Sequence, residues 1–360
     1  MKYIIWAFFF CFFYWIVPLS GQNYGFESFS VEDGLPQSEI FALIQTHDGA
    51  IWAGTNGGGL ARFNGKDFQV YNSSDGLPDN IVTSLLEDEN NILWIGSSSG
   101  LTKFDGQTFK TFPIKQKSGT LQVLSLTEDD SNNRLWMNVI RNRTQSELYY
   151  FDKKNETFLG LTGSNISLPD DYARYFKNNP AYNYLLKKDG RVLISTSKGL
   201  YEYFKDSIYI SPIENFKQTT GEVIVPFYED GDSIWCRIIV PEKSYKIKIF
   251  YKNSFLPANN FPPGFPVARI SKILHNTHNQ YWFTTVSGGI LLKDENGFSW
   301  FNSSNKLPSN LAGPMIEDHE GNMWFGLSAG GLIKYGNKRF LAHNFKEIIN
   351  SNIVRIITQD

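Results

Sequence analysis

Short apolar runs alternate with brief polar turns along most of the chain. Within residues 81–112, two apolar runs are separated by the polar turn 87–91, and breaks follow at 98–100 and at Asp105-Gly106. Asp-Gly pairs favour tight hairpin turns, because glycine adopts positive φ at little steric cost. The pattern therefore predicts a unit of four short antiparallel strands joined by three turns.

This unit recurs along the chain. The motif Asp33-Gly34-Leu35-Pro36 returns as Asp75-Gly76-Leu77-Pro78 and, more loosely, as Asn305-Lys306-Leu307-Pro308. One aromatic or leucine position marks each of seven units: Trp52, Trp94, Trp136, Leu193, Trp235, Trp282 and Trp324. Four-stranded units of about 40–50 residues are typical of propeller blades. We predict an all-β fold, a seven-bladed β-propeller of four-stranded antiparallel blades.

The spacing of these positions indicates one insertion. Trp52, Trp94 and Trp136 are 42 residues apart, whereas Leu193 follows Trp136 by 57 residues. The extra residues fall largely within 167–175. Because the tryptophan recurs in nearly every unit, we predict that it packs between blades and does not bind a ligand.

The segment 26–30 predicts how the ring closes. It resembles the outermost strands at 68–71 and 109–112, but it has no inner strands of its own. Open terminal blades would leave bare faces and edges. We therefore predict that this N-terminal strand pairs with the last blade, at 311–335, and closes the propeller.

Both ends of the chain carry further signals. Lys2, the apolar run 4–17 and the small residues up to Gly21 predict a signal peptide at 1–21, and the run is shorter than the roughly 20 residues that span a bilayer. The propeller is predicted at 22–345. Residues 346–360 resemble the start of a further repeat, so we expect a longer natural chain. The predicted location is the periplasm or the periplasmic side of the inner membrane.

Composition excludes some classes of protein. Charged residues make up 19% of the chain and aromatic residues 16%, which favours strands over solvated helices. The formal net charge of −2 gives no basic footprint for nucleic acid. Of the two cysteines, Cys11 lies in the predicted signal peptide, so the mature chain would hold one thiol, Cys236, and no internal disulfide.

The repeat resembles a known family. The order Asp-Gly-Leu-Pro, Leu-Trp-Ile-Gly-Ser, Phe-Asp-Gly at 75–109, and its variant at 33–68, is similar to the two-component regulator propeller repeat. That repeat occurs in the sensor regions of Bacteroidetes-type hybrid histidine kinases and related regulators. The similarity is close at 33–112 and 266–345 and degenerate at 113–260. It implies an exported sensor that perceives an extracytoplasmic signal, often a glycan fragment, and relays it to a cytoplasmic output domain absent from this chain.

Several motifs resemble metal-binding or cofactor-binding sites, but each has a simpler structural interpretation. His275 and His278 lie in the predicted turn between the first and second strands, without nearby cysteines, so we expect no metal site. The acidic turns 87–89 and 128–130 lack the ligand spacing of a calcium loop, and we expect them to be solvated. The glycine-rich run 56–59 is expected to be the turn between second and third strands, without a cofactor. We predict no enzymatic activity for this segment.

Some loops differ in sequence from the repeat, and they predict a ligand site on the face of the Asp-Gly-Leu-Pro connections. Loops on a rigid scaffold commonly bind ligands. They combine guanidinium, carboxylate and tyrosine groups, which suit an anionic or sugar-like ligand. Loop drift, or contact with a second propeller or a dimer partner, explains them equally well. The predicted ligand-binding residues are Arg141, Arg143, Tyr172, Arg174, Tyr175, Glu242 and Lys243.

The sequence thus predicts an extracytoplasmic sensor propeller of a two-component-type signalling protein. The expected partners are an oligosaccharide or another small ligand and a second copy of the chain, with no nucleic acid, and with the membrane reached only through absent downstream segments. The alternatives are a free-standing exported binding propeller and a propeller lyase or hydrolase. A lyase would need a histidine and acidic residues converging at the mouth of the channel.

Overall fold

The computed structural model describes eleven ranges of the chain: 24–114, 121–129, 133–141, 145–160, 183–196, 199–204, 207–210, 223–239, 246–251, 254–257 and 261–337. Residues 26–335 form one compact unit. A second unit comprises Met1–Gly25 and Gly336–Asp360, and most of it lies outside these ranges. So do the predicted signal peptide, 1–21, and the predicted further repeat, 346–360. Within the described ranges, no helix has the length and apolar character needed to cross a membrane.

The strands follow one another in chain order. The chain begins with β1 (Tyr24–Phe29), and blade 1 contains β2 (Ile40–Gln45), β3 (Ile51–Thr55), β4 (Leu60–Phe63) and β5 (Phe68–Tyr71). Blade 2 contains β6 (Val82–Glu87), β7 (Leu93–Ser97), β8 (Gly100–Phe104) and β9 (Phe109–Phe112). Blade 3 contains β10 (Leu121–Asp129), β11 (Arg134–Arg141), β12 (Gln145–Asp152) and β13 (Thr157–Gly160). Blade 4 contains β14 (Asn183–Leu186), β15 (Val192–Thr196), β16 (Gly199–Phe204) and β17 (Ser207–Ile210).

The remaining blades repeat this plan. Blade 5 contains β18 (Val223–Asp230), β19 (Ser233–Ile239), β20 (Lys246–Tyr251) and β21 (Ser254–Pro257). Blade 6 contains β22 (Ile270–His275), β23 (Tyr281–Thr285), β24 (Gly289–Asp294) and β25 (Gly297–Phe301), and β26 (Ala312–Glu317), β27 (Met323–Leu327) and β28 (Leu332–Asn337) belong to blade 7. Short 3-10 turns lie at Val31–Asp33, Ser73–Asp75 and Val267–Arg269. The described strands form seven four-stranded antiparallel sheets, which confirms the predicted seven-bladed propeller.

The N-terminal strand completes the last blade, as predicted. The strand order in blade 7 is β1-β28-β27-β26, so β1 takes the outermost position. Phe26 packs against Phe301 and Tyr335, with ring centroids 5.0 and 4.9 Å apart, respectively. Phe29 stacks on Trp324 at 5.7 Å and contacts Phe63 of blade 1 at 4.9 Å. The closing strand therefore joins the apolar cores on both of its sides.

The recurrent tryptophans pack between blades. Trp52 lies in one buried cluster with Leu77, Val82 and Phe104 of the next blade. Blade 4 carries Leu193 at this position, and it packs in the same way, in a cluster with residues of blade 5. The prediction of an inter-blade packing role is confirmed for these positions.

The leucine of the Asp-Gly-Leu-Pro connection is an anchor. Leu35 and Leu77 are each 2% exposed, and Leu307, in the looser version of the motif, is 5% exposed. In front of Leu35, the side chain of Ser30 accepts a hydrogen bond from the Glu32 N–H, and the Asp33 carboxylate accepts one from the Ser30 N–H. This capping box begins the turn, Gly34 ends it in the left-handed conformation, and Leu35 follows into the core between blades.

Candidate functional site

The connections between blades and the glycine turns lie together on one face. The N–H groups of Gly57 and Gly59 donate to the carbonyl of Asn80, at 3.0 and 2.8 Å, within the connection that enters the next blade. Gly59 has φ of +85°, and a Cβ atom here would lie 2.3 Å from the Tyr71 carbonyl oxygen. The run 56–59 is therefore the turn between second and third strands, as predicted. We call this side the connection face.

Most of the predicted ligand residues fall outside the described ranges. These residues are Arg143, Tyr172, Arg174, Tyr175, Glu242 and Lys243. Arg141 is the last residue of β11, where its backbone pairs with Leu121 and Gln145. The ligand site on the connection face stays a prediction.

The opposite face carries the turns between first and second strands, and we call it the turn face. Trp94 Nε1 donates to Asp88 Oδ2 at 2.8 Å, and Trp324 Nε1 donates to Asp318 Oδ2 at 2.7 Å. Asp88 and Asp129 are only 6% and 5% exposed. The expectation that these acidic turns are solvated is wrong for both carboxylates, because each one is buried and accepts a hydrogen bond from the indole of its own blade.

Among the blades that carry the tryptophan, two replace this aspartate. In blade 1, Trp52 Nε1 donates to Thr46 Oγ1 at 3.0 Å. In blade 6 the residue is Asn276, whose Nδ2 donates to Gln280 Oε1 at 2.9 Å. Trp282 Nε1 is buried and has no hydrogen-bond partner among the described residues. A buried donor without an acceptor destabilises a fold, so blade 6 contains a local weakness.

The same turns also link neighbouring blades. The His47 N–H donates to Glu87 Oε2 at 2.7 Å, and His47 Nδ1 lies 2.6 Å from Glu87 Oε1. Equivalent bonds run from a turn N–H to a side chain at or next to the end of the innermost strand of the next blade. They join Lys188 to Glu229, Thr277 to Glu317 and His319 to Gln45. We call these bonds inter-blade latches. Sequence reasoning missed them, although an acidic or amide residue recurs six to eight positions before most of the tryptophans.

Where a latch is not seen, tyrosine hydroxyls make polar links. Tyr184 of blade 4 donates to the Trp136 carbonyl of blade 3 at 3.0 Å. Tyr281 of blade 6 donates to Asp230 Oδ2 of blade 5 at 2.8 Å. Burial, together with the Asp230 carboxylate, raises the pKa of Tyr281 to about 12. Both hydroxyls therefore stay protonated and act as structural donors.

The two histidines considered as metal ligands have other partners. His275 Nε2 lies 2.9 Å from Asn279 Oδ1, and the ring stacks on Tyr281 with centroids 4.1 Å apart. His278 Nδ1 lies 3.5 Å from Glu317 Oε1. Within the ranges that the structure describes, no group of three or more His, Cys, Asp or Glu side chains is placed to hold a metal ion.

The Cys236 thiol is unsuited to nucleophilic chemistry. It is fully buried in the core between blades 4 and 5, with Leu193 and Ile224 in the same cluster. Burial raises its pKa to about 12. Since the thiolate is the reactive form, this residue packs as a small apolar side chain.

Known structures share this architecture at low identity. The extracellular domain of a protein described as a hybrid two-component system, from B. thetaiotaomicron, is 19% identical, with a TM-score of 0.64. The match covers 87% of this chain and 42% of that one. A second such domain from the same organism is 15% identical, with a TM-score of 0.63, and the match covers 92% of this chain and 42% of the other. This chain thus spans less than half the length of either domain.

An enzyme shares the fold as well. Virginiamycin B lyase from Staphylococcus aureus is 12% identical, with a TM-score of 0.59, and the match covers 87% of this chain and 99% of the lyase. At such identities the likeness shows the propeller fold alone. No curated protein matches the chain.

Family-level similarity comes from the repeats themselves. Residues 34–57 and 76–99 match the two component regulator propeller family. Each match begins at the glycine of an Asp-Gly-Leu-Pro motif and runs through the tryptophan strand into the glycine turn, so it covers the segment that anchors one blade to the next. The chain is therefore a seven-bladed propeller in which two segments match the two component regulator propeller family.

Proposed function

We propose that this chain is the sensing propeller of a membrane-spanning, two-component-type signalling protein. The observation that carries the proposal is the pair of family repeats at 34–57 and 76–99. The structural likeness to extracellular domains of hybrid two-component systems supports it, as does the fact that the chain spans only 42% of such a domain. In this proposal the chain works as one part of a larger sensor.

The proposed mechanism is recognition on the connection face followed by rearrangement of propeller packing in a dimer. The glycine turns and connections of that face are held by main-chain hydrogen bonds between blades, such as those from Gly57 and Gly59 to Asn80. A rigid rim of this kind can position variable loops for binding. A ligand or partner seated there would change how two copies pack, and segments outside this chain would transmit the change.

Export of the chain is testable on its own. Alkaline phosphatase fused after residue 337 becomes active only when it is carried across the inner membrane. We expect activity with the full leader and none after removal of residues 1–21. Equal activity from both fusions would contradict the signal peptide and the extracytoplasmic location.

Ligand recognition requires a second experiment. Thermal-shift measurements on the exported chain, with neutral and acidic oligosaccharides as probes, should reveal a stabilising ligand. Arg143→Ala and Arg174→Ala should each weaken binding, since guanidinium groups supply paired donors. Unchanged affinity in both variants would exclude the connection-face site while leaving the fold and export untouched.

The alternative functions make different predictions. A free-standing binding propeller would have a stop codon directly after residue 360 and no apolar span downstream. A propeller lyase would consume its substrate, whereas the sensing propeller would leave such a compound intact. Incubation with quinupristin, followed by mass spectrometry, separates the lyase from both binding functions.

A further inference from the structure

A cleft of about 400 Å³ opens between blades 1 and 2 on the turn face. It lies opposite the connection face, so it is distinct from the ligand site proposed above. Blade 1 contributes His47, Arg62 and Gln69, and blade 2 contributes Asn90 and Asn91. Its volume falls within the range of about 300–1,000 Å³ that small-molecule sites occupy.

Each charged side chain of the cleft already has a hydrogen-bond partner within the protein. Arg62 Nη2 donates to Asp48 Oδ2 at 2.6 Å, and His47 Nδ1 lies 2.6 Å from Glu87 Oε1. Asp105 is satisfied within its own turn, where its carboxylate accepts from two main-chain N–H groups and one hydroxyl. A charged ligand would therefore have to compete with contacts that the protein makes internally.

The neutral polar groups, in contrast, are free. The side-chain amides of Gln69, Asn90 and Asn91 make no hydrogen bond to any described residue, and all three residues are exposed. Each amide can donate and accept at once. Only one nitrogen of the His47 ring is engaged, and Arg62 has N–H groups besides the one held by Asp48. The cleft thus offers several uncharged donors and acceptors from both blades.

We infer that this cleft binds a neutral, hydroxyl-rich molecule of monosaccharide or disaccharide size. A sugar hydroxyl both donates and accepts, which matches amide groups and leaves the Arg62–Asp48 ion pair and the His47–Glu87 hydrogen bond in place. The half-buried ring of Tyr71 adds a flat apolar wall to the cleft. A bound sugar would contact blades 1 and 2 together and would reinforce the latch between His47 and Glu87.

Isothermal titration calorimetry on the exported chain tests this inference. The neutral probes are D-glucose, D-galactose, D-mannose, maltose and cellobiose, and D-galacturonate and D-glucosamine serve as charged analogues. We expect at least one neutral probe to bind and the charged analogue of the same ring to bind more weakly. Gln69→Ala and Asn90→Ala should each weaken binding about three- to tenfold, the loss expected for one hydrogen bond.

The control variant is Gln107→Ala, an exposed glutamine in the neighbouring turn that does not line the cleft. It should bind the sugar like the wild type. The inference is overturned if no neutral probe binds, if a charged analogue binds as tightly as its neutral parent, or if Gln69→Ala and Asn90→Ala both keep full affinity. Gln69 and Asn90 lie on the surface, so we expect both variants to fold, and circular dichroism checks this.

Discussion

The N–H of His319 in blade 7 donates to the side-chain oxygen of Gln45 in blade 1 across 2.6 Å, although 274 residues separate them. The same type of latch joins His47 to Glu87 and Thr277 to Glu317, only 40 residues apart. The ring therefore closes on the turn face with the bond that consecutive blades use. On the outside of blade 7, closure depends instead on β1.

Gln45→Ala should lower the free energy of unfolding by about 1 kcal/mol, because it removes the acceptor of the closing latch. Gln45→Glu should lose less, since Glu87 and Glu317 accept the equivalent bond in their own blades. Urea unfolding at neutral pH measures both. Both substitutions also remove the hydrogen bond from Gln45 Nε2 to the Gly49 carbonyl, so equal losses would assign the effect to that bond or to packing, and not to the latch.

Asn276→Asp should stabilise the protein by about 1 kcal/mol, because a carboxylate at this position can accept the unsatisfied Trp282 N–H. Gln280 can then turn its amide to donate, as Asn322 does to Asp318 in blade 7. The matched variant Asp318→Asn should destabilise, since it removes the acceptor of Trp324. Thermal unfolding compares the pair, and a lower melting temperature for Asn276→Asp would refute the explanation.

Gly326→Ala should destabilise the junction between blades 7 and 1 by about 1–3 kcal/mol. A Cβ atom at Gly326 would lie 2.6 Å from Ile40 Cγ2 and 2.8 Å from Pro314 Cγ. Gly313→Ala is the control on the innermost strand of the same blade, because its nearest neighbour would be 3.8 Å away. In denaturant unfolding, the free energy of unfolding should be clearly lower for Gly326→Ala than for Gly313→Ala. The reverse order would contradict the close approach of the blades.

Stability at low pH should depend partly on Asp48. Burial raises the pKa of its carboxyl, but hydrogen bonds from Thr46 and Arg62 outweigh this effect and lower the pKa to about 2. A carboxyl with a depressed pKa stabilises the fold above its unfolded pKa of about 3.9, and this contribution is lost as the pH falls towards 2. Since the side chain is 41% exposed, solvent screens the effect.

The measurement is the free energy of unfolding at pH 5 and at pH 2.5. The wild type should lose more stability between these values than Asp48→Asn, which has no carboxyl to protonate at this position. Asp67→Asn, at an exposed site on the same face, is the control. Identical pH dependence in wild type and Asp48→Asn would rule out this role.

The fold was predictable because its signals are local and repeated. Each Asp-Gly pair marks a turn, and each tryptophan marks the strand that packs against the next blade, so seven periods suffice to count seven blades. The closing strand was predictable for the same reason, since residues 26–30 resemble outermost strands that lack a blade.

The candidate sites were harder to predict from the sequence than the fold. The burial of Asp88 depends on how its turn folds over Trp94, and an acidic run gives no sign of this. The cleft forms only where Gln69 of one blade meets Asn90 of the next, and neither residue is part of a motif. The loops with Arg143 and Arg174 depart from the repeat, so periodicity says nothing about their shape.

The pairing of β1 with β28 has a consequence for biosynthesis. Of the described strands, β1 comes first in the sequence and hydrogen-bonds with β28, which comes last, so blade 7 cannot be completed until residues 332–337 have been made. Contacts between residues this distant in sequence slow folding. Until its partner strand has been synthesised, the unpaired edge is also prone to aggregation. The nascent chain must therefore keep β1 available for pairing until β28 has been synthesised.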